Sequence, residues 1–217
     1  KRLHKEFFET TQKTKKDELK KQIEMLEWDL IEVTLREQDK TPELKKLEVL
    51  KKANIKPFFL WKLHFAEVFE KGGFNVVIAN PPYVSYGLRG GQKMTSAEKN
   101  TLRNTFPNSA EYKISLYALF MDKAIQIANT RGGIQTLIVP DSFLLGRYFS
   151  KIREYILRLN EIQFILLLPY SVFDATVGFS VVYSFQRKQK IDEQHFIIAK
   201  FAENNDIIRQ GAYKIFY

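Results

Sequence analysis

Residues 74–83 read FNVVIANPPY, and this stretch decides both the fold class and the position of the candidate site. Five of its first six residues are apolar, and three of these are β-branched. They follow a Gly-Gly turn, which predicts a strand buried on both faces of a sheet. Its last four residues are Asn80-Pro81-Pro82-Tyr83. Because ligand sites of open α/β sheets lie beyond the carboxyl ends of the strands, this tetrapeptide is where chemistry is expected.

Alternating helices and strands downstream of this stretch predict the rest of the fold. Apolar periodicity indicates helices at 111–129 and 149–160, and short apolar runs indicate strands at 134–139, 164–168, 179–185 and 195–201. This alternation is typical of an α/β fold with a mainly parallel sheet, in which the last two or three strands can pair antiparallel. The intervening residues 84–110 are polar and rich in Gly and Asn, which predicts a long mobile loop.

The first 56 residues have a different character and predict a helical hairpin. Residues 5–37 contain no Gly or Pro, and they carry a narrow apolar stripe formed by Leu19, Ile23, Leu26, Leu30 and Val33. A second helix is expected to begin at Thr41 and Pro42, which are typical of an N-cap and a first helical position. The hairpin is either a coiled-coil arm for a partner or, as we favour, an insertion folded back on its own domain. The predicted domains are therefore 1–56 and 57–217.

The composition narrows the classes of function. The chain has 217 residues, a formal net charge of +9 and no cysteine. The lack of cysteine excludes disulfides, thiolate metal sites and a cysteine nucleophile, and no apolar run is long enough to span a membrane. His4, His64 and His195 are far apart in sequence and show no acidic partner pattern, so no metal site is expected. The basic charge favours nucleic acid as a partner, although it fits ordinary solubility equally well.

The tetrapeptide offers two hydrogen-bond acceptors on a stiff turn. Consecutive prolines restrict φ and remove two N–H donors, so the carbonyl groups of the turn point outward. The side-chain carbonyl of Asn80 and the backbone carbonyl of Pro81 can together hold the two protons of a planar –NH2 group. Tyr83 supplies an aromatic face for the ring that bears the amine. The alternative is a rigid turn that ends the strand with a buried tyrosine.

These residues resemble the catalytic motif of DNA adenine-N6 methyltransferases, above all the type IIG restriction–methylation enzymes, and residues 57–185 follow the family pattern. The resemblance implies a class I (Rossmann-like) methyltransferase sheet, S-adenosyl-L-methionine as the methyl donor and double-stranded DNA as the partner. By motif position, Asn80 and Pro81 would bind the target N6. Tyr83 and Phe173 would stack on the two faces of the flipped adenine, and Phe120 would lie in the helix that lines the donor pocket.

The chain departs from this family in the donor-binding half of the sheet. The family binds its donor through a glycine-rich turn upstream of the catalytic motif, and no G-x-G occurs anywhere here. We therefore expect a fragment of a cytoplasmic prokaryotic enzyme that holds the catalytic-motif half and is inactive alone. A parallel sheet interrupted at its middle exposes an apolar edge, so the hairpin or a second copy of the chain, in a homo-oligomer, is expected to cover it.

Three alternatives stay open on the sequence. Similar tetrapeptides occur in methyltransferases of release-factor glutamine and of RNA bases, because both of these substrates also present a planar –NH2 group. The third alternative is a non-catalytic module that uses its helices for a protein partner and its basic surface for DNA. The Asn80→Ala substitution separates the catalytic roles from the last one.

Overall fold

The computed structural model describes residues 2–53, 55, 59–86, 93–168, 179–189, 197–200 and 214–216. By backbone contacts the chain divides into two compact units, Lys1–Glu70 and Lys71–Tyr217. The boundary expected at 56/57 lies inside the first unit, and the roles assigned to the two predicted domains stay a prediction. In the part of the chain that the structure describes, no helix is both long and apolar enough to cross a membrane.

The first unit is helical in its described residues. Its helices are α1 (Arg2–Glu9), α2 (Lys13–Glu37), α3 (Thr41–Lys52), α4 (Trp61–His64) and α5 (Ala66–Glu70). The pairing of α2 with α3 agrees with the predicted hairpin. The expectation of one continuous helix over 5–37 is wrong, because the chain leaves the helical conformation at residues 10–12. Two consecutive threonines, which lose side-chain freedom in a helix, stand at this break, and α1 packs against α2.

The apolar stripe of α2 is only partly buried. Leu19 and Ile23 are in the core of the unit, whereas Leu26, Leu30 and Val33 are between 48 % and 55 % exposed. An amphipathic pattern identifies a face that can be buried, but the packing of neighbouring helices decides how much of that face is covered.

The second unit alternates strands and helices. Its strands are β1 (Val76–Ala79), β2 (Ser85–Tyr86), β3 (Ile114–Ser115), β4 (Ile134–Pro140), β5 (Asn160–Leu167), β6 (Ser180–Arg187), β7 (Ile197–Lys200) and β8 (Lys214–Phe216). Its helices are α6 (Ser96–Thr105), α7 (Leu116–Ile127), α8 (Ser142–Leu145) and α9 (Ser150–Leu159), with a short 3-10 turn at Arg147–Phe149. The predicted strands and the α/β class are confirmed, whereas β2, β3 and β8 were not predicted.

Six strands form one mixed sheet in the order β1-β4-β6-β5-β7-β8, while β2 and β3 form a separate pair. The parallel pairs are β1 with β4 and β5 with β7. The strand β6 lies antiparallel between β4 and β5, and β8 is antiparallel to β7. Four strands therefore point the same way, but the sheet is mixed in its pairings and not mainly parallel. The reason is that β6 is inserted between two strands that would otherwise be parallel neighbours.

One face of this sheet carries the hydrophobic core. Helices α7 and α9 pack on it and bury alternate residues of the strands, such as Leu137 and Val139 of β4. On the opposite face, Val76 and Ile78 of β1 are 55 % and 77 % exposed. The expectation that the β1 run is buried on both faces is therefore wrong, because the described helices cover only one side of it.

Part of the predicted loop at 84–110 is a helix. A capping box begins α6: the Glu98 N–H donates to Thr95 Oγ1 at 3.2 Å, and the Thr95 N–H donates to the Glu98 carboxylate at 2.7 Å. Leu102 of this helix packs against a small apolar cluster around Ile114 and Leu119. The Thr-x-x-Glu pattern at residues 95–98 is typical of a helix start, whereas the polar composition of the whole segment predicts a loop.

Two glycines with similar backbone angles provide a test of the packing at the start of β1. At Gly73 (φ +118°) an added Cβ would lie 2.6 Å from the carbonyl oxygen of Ile127, whereas at Gly132 (φ +115°) its nearest neighbour is Gln186 Nε2 at 3.5 Å. We expect Gly73→Ala to lower the free energy of unfolding by about 2–4 kcal/mol and Gly132→Ala by about 1–2 kcal/mol. Both changes strain φ, but only the first also creates a clash with backbone. Urea unfolding of the two variants measures the difference, and equal losses would contradict the close approach at Gly73.

Candidate active site

The carboxyl edge of the sheet gathers the candidate residues. The strands β1 and β4 are parallel neighbours that both end at this edge. The strand β6 runs the opposite way and begins there, with Ser180 opposite Pro140. The motif at residues 80–83 follows β1 directly, and Asp141 follows β4. Three strand ends thus bring polar and aromatic side chains to one side of the sheet.

Asn80 stands at the tip of this edge. Its side chain is exposed, whereas Pro81 is buried and Pro82 is exposed. The Asn80 amide makes no hydrogen bond to another described residue, so its carbonyl oxygen is available to a ligand. Burial of Pro81 fixes the backbone of the turn, while exposure of Asn80 leaves its side-chain carbonyl oxygen accessible.

Hydrogen bonds fix the chain immediately after the motif. The Leu116 N–H donates to the Val84 carbonyl at 2.8 Å, at the start of α7. The short strands β2 and β3 then pair antiparallel, and the hydroxyls of Ser85 and Ser115 lie 2.7 Å apart. The motif is therefore held between β1 on one side and the start of α7 on the other.

Tyr83 is half-buried, and its ring lies edge-on to Tyr117 with 6.4 Å between the ring centroids. Burial raises the pKa of the Tyr83 hydroxyl, and the nearby Ser180 hydroxyl acts weakly in the opposite direction. Tyr83 and Ser180 do not reach ordinary hydrogen-bond geometry with each other or with other described residues. The hydroxyl therefore stays neutral at physiological pH.

Tyr117 packs edge-on against Tyr83 and was not among the predicted site residues. It is 3 % exposed, its hydroxyl lies 3.0 Å from Ser142 Oγ, and its ring packs 5.4 Å from that of Phe149. Burial raises the pKa of Tyr117, the Ser142 and Ser115 hydroxyls lower it, and the charge of Asp141 raises it further. Asp141 and Ser142 follow β4 as the motif follows β1, so the same rule about strand ends could have found them.

The remaining predicted site residues are not assembled in the described structure. Phe120 lies on α7 and is 45 % exposed. Phe173 falls outside the described residues. No G-x-G turn occurs in the sequence, and the roles expected for the site residues stay predictions.

An α/β domain with an antiparallel strand between β4 and β5, and with an Asn-Pro-Pro-Tyr turn at the carboxyl edge, agrees with the class I methyltransferase fold that the sequence resemblance implies. Residues 1–173 of the chain match the family model described as Eco57I restriction-modification methylase. The match covers well over half of the 217 residues, and the chain belongs to this family.

A curated relative and several solved structures are similar over part of their length. A protein of Methanocaldococcus jannaschii, named as a candidate type II restriction enzyme and methyltransferase, is 24 % identical over 147 residues, which are 68 % of this chain and 11 % of that protein. A modification subunit of a candidate type I restriction enzyme from Vibrio vulnificus superposes with a TM-score of 0.47 and 17 % identity, over 75 % of this chain and 34 % of that one. The type IIG restriction endonuclease BpuSI gives a TM-score of 0.42 and 17 % identity, over 61 % and 15 %. The chain thus spans about a tenth of the curated relative.

Proposed function

We propose that this chain provides the acceptor-binding face of an enzyme that methylates N6 of adenine in DNA, as part of a restriction–modification or phage-defence protein. The observation that carries the proposal is the motif at residues 80–83. It combines an exposed amide carbonyl with a half-buried aromatic ring at the carboxyl edge of a methyltransferase-type sheet. This pair of groups matches a planar ring that bears an exocyclic amine.

In this proposal the turn polarises the amine. Asn80 Oδ1 and the Pro81 carbonyl accept the two protons of N6, which makes the nitrogen lone pair more available for attack. When bound, S-adenosyl-L-methionine supplies an electrophilic methyl group. Holding N6 by two acceptors also fixes its direction of approach, so positioning supplies much of the rate enhancement. The N–C bond would form as the sulfonium S–C bond breaks and leaves a neutral thioether, and the nitrogen would then lose one of its two protons to water.

Tyr83 gives the base a surface outside the DNA helix. The target must leave the stack, because N6 cannot be reached within a duplex. Stacking on an aromatic side chain contributes on the order of 1–3 kcal/mol, which offsets part of the cost of flipping. The role proposed for Phe173, on the opposite face of the base, rests on the family motif alone.

We further propose that the donor is bound mainly by a part of the protein outside this segment. The open face of β1, where Val76 and Ile78 are exposed, supports this, since an apolar strand face of this kind is usually covered by another layer. The segment alone would then bind S-adenosyl-L-methionine weakly and transfer no methyl group. A second copy of the chain on this face is the alternative covering.

The substrate class can be tested with the full-length protein and with this segment. Both are incubated with radiolabelled S-adenosyl-L-methionine and, separately, plasmid DNA, a release factor or RNA. We expect the full-length protein to label only DNA, with N6-methyladenine as the product, and the segment to label nothing. Label in the release factor or in RNA instead would contradict the DNA proposal, and turnover by the segment would contradict its dependence on an external donor site.

A further inference from the structure

Three side chains that are distant in sequence meet inside the helical unit. His4 comes from α1, Glu27 from α2 and His64 from α4, and one potential ligand atom from each lies within 4.8 Å of the other two. His4 is 8 % exposed and Glu27 only 1 %. The expectation that the histidines have no acidic partner is therefore wrong for His64, which lies beside Glu27. Separations of 23 and 37 residues form no short motif, so only the fold could reveal this cluster.

The geometry of the cluster is close to that of a metal site. His64 Nε2 lies 2.5 Å from Glu27 Oε1, and the rings of His4 and His64 meet edge-on with 5.0 Å between centroids. Zinc binds nitrogen and carboxylate oxygen at about 2.0–2.2 Å, which places the ligand atoms of a tetrahedral site roughly 3.3–3.5 Å apart. The 2.5 Å separation of His64 from Glu27 is shorter than this value, and no separation in the cluster is more than about 1.5 Å longer. Small side-chain rotations would therefore convert the cluster into a coordination site.

The surroundings of the cluster also suit a bound cation. The ring of Phe59 stacks on His64 with 4.3 Å between centroids and only 5° between planes, which restrains the imidazole. His4 and His64 also line a cavity of about 380 Å³, together with Phe8, Phe65 and other residues of the same unit. The cavity reaches His4 and His64 but not Glu27, so an ion would enter from the side of the two imidazoles, where there is space for a water as a fourth ligand.

We propose that His4, Glu27 and His64 bind one Zn²⁺ ion, which links α1, α2 and α4. Two imidazoles and one carboxylate suit a borderline cation such as zinc, whereas Mg²⁺ prefers sites made of oxygen ligands. The ion would lie between His64 Nε2 and Glu27 Oε1, which would move apart to admit it. Its role would be to hold three helices of a small unit together, because a unit of this size buries little apolar surface on its own. The site is independent of the acceptor turn at residues 80–83.

The first experiment uses the whole 217-residue chain after removal of any affinity tag, because a polyhistidine tag would itself bind zinc. We expect one Zn²⁺ per chain by metal analysis after dialysis. We also expect the melting temperature to fall by about 5 °C or more when a chelator removes the ion, and to recover with Zn²⁺ but not with Mg²⁺. Cobalt(II) substitution should give ligand-field absorption bands typical of nitrogen and oxygen ligands. A chain that binds no Zn²⁺ at micromolar concentration would overturn the proposal, whatever the variants do.

Variants then identify the ligands. His4→Gln and Glu27→Gln should each weaken Zn²⁺ binding by at least about tenfold. Loss of a residue that only hydrogen-bonds to a metal ligand already lowers metal affinity by this factor, so loss of a ligand should lower it at least as much. The matched control is Glu67→Gln, which changes an exposed carboxylate that lines the same cavity but lies outside the cluster. Circular dichroism verifies that each variant is folded. If a variant does not fold, the cobalt(II) absorption spectrum of the wild-type chain tests the ligand set instead. Equal zinc affinity in Glu27→Gln and the wild type would show that the ion binds elsewhere.

Discussion

Replacing Asn80 with alanine in the full-length protein should lower kcat for DNA methylation by about 10²–10³-fold. The substitution removes one of the two acceptors proposed for the N6 protons, and that hydrogen bond matters most as the nitrogen attacks. DNA affinity should change little, because most of it comes from contacts with phosphates. Single-turnover methylation with labelled donor measures the chemical step, and a binding titration at fixed salt measures the affinity.

The matched control for this prediction is Asn75→Ala. Asn75 directly precedes β1, at the end opposite Asn80, and its side chain is exposed and 3.3 Å from the Asn129 amide. It carries the same functional group but lies outside the acceptor turn, so its replacement should leave the rate within about twofold. If Asn80→Ala retained the wild-type rate, the catalytic role of the motif would be refuted and the non-catalytic module would become the better description.

Tyr83→Ala should reduce kcat/KM by about 5- to 150-fold, which corresponds to the 1–3 kcal/mol of a base–aromatic stack. Tyr83→Phe should stay close to wild type, because the hydroxyl is buried, neutral and outside ordinary hydrogen-bond geometry with the described residues. The flipped state can be followed by the fluorescence of 2-aminopurine at the target position, once sequencing of methylated plasmid has mapped the site. A smaller fluorescence increase with Tyr83→Ala would locate the loss in base flipping.

Tyr112→Ala is the matched control for Tyr83→Ala. Tyr112 is 79 % exposed and stacks on Tyr148 with 5.5 Å between ring centroids, and it is not part of the motif at residues 80–83. Its loss should leave both kcat/KM and the fluorescence change within about twofold of wild type. A Tyr83→Phe variant as impaired as Tyr83→Ala would show that the hydroxyl has a chemical role and that stacking is not the main contribution.

The position of the motif at residues 80–83 after β1 could be predicted because its determinants are local. A β-branched run, two prolines and a tyrosine occupy ten consecutive residues, and the position of a ligand site at a strand end follows from the fold class alone. Strand and helix positions were predictable for the same reason. The capping box at Thr95 and Glu98 is equally local and indicates the start of α6, but the polar composition around it predicts a loop.

Other features depended on how distant segments pack. The sequence pattern of β1 indicates that it can be buried, but it cannot show that the described helices cover only one of its faces. The contact between the hydroxyls of Tyr117 and Ser142 joins the start of α7 to the residues after β4. Likewise, the insertion of β6 between β4 and β5 changes the sheet from mainly parallel to mixed.

The sequence by itself determined the α/β class, the position of the acceptor turn and the residues within it, because each depends on the conformational preferences of neighbouring residues. Only the tertiary structure decided which faces are covered, which hydroxyls surround Tyr83 and that His4, Glu27 and His64 meet. Contacts of this second kind require closing long loops, and their free energy comes from the packing of whole helices and strands. No local pattern along the chain encodes that packing.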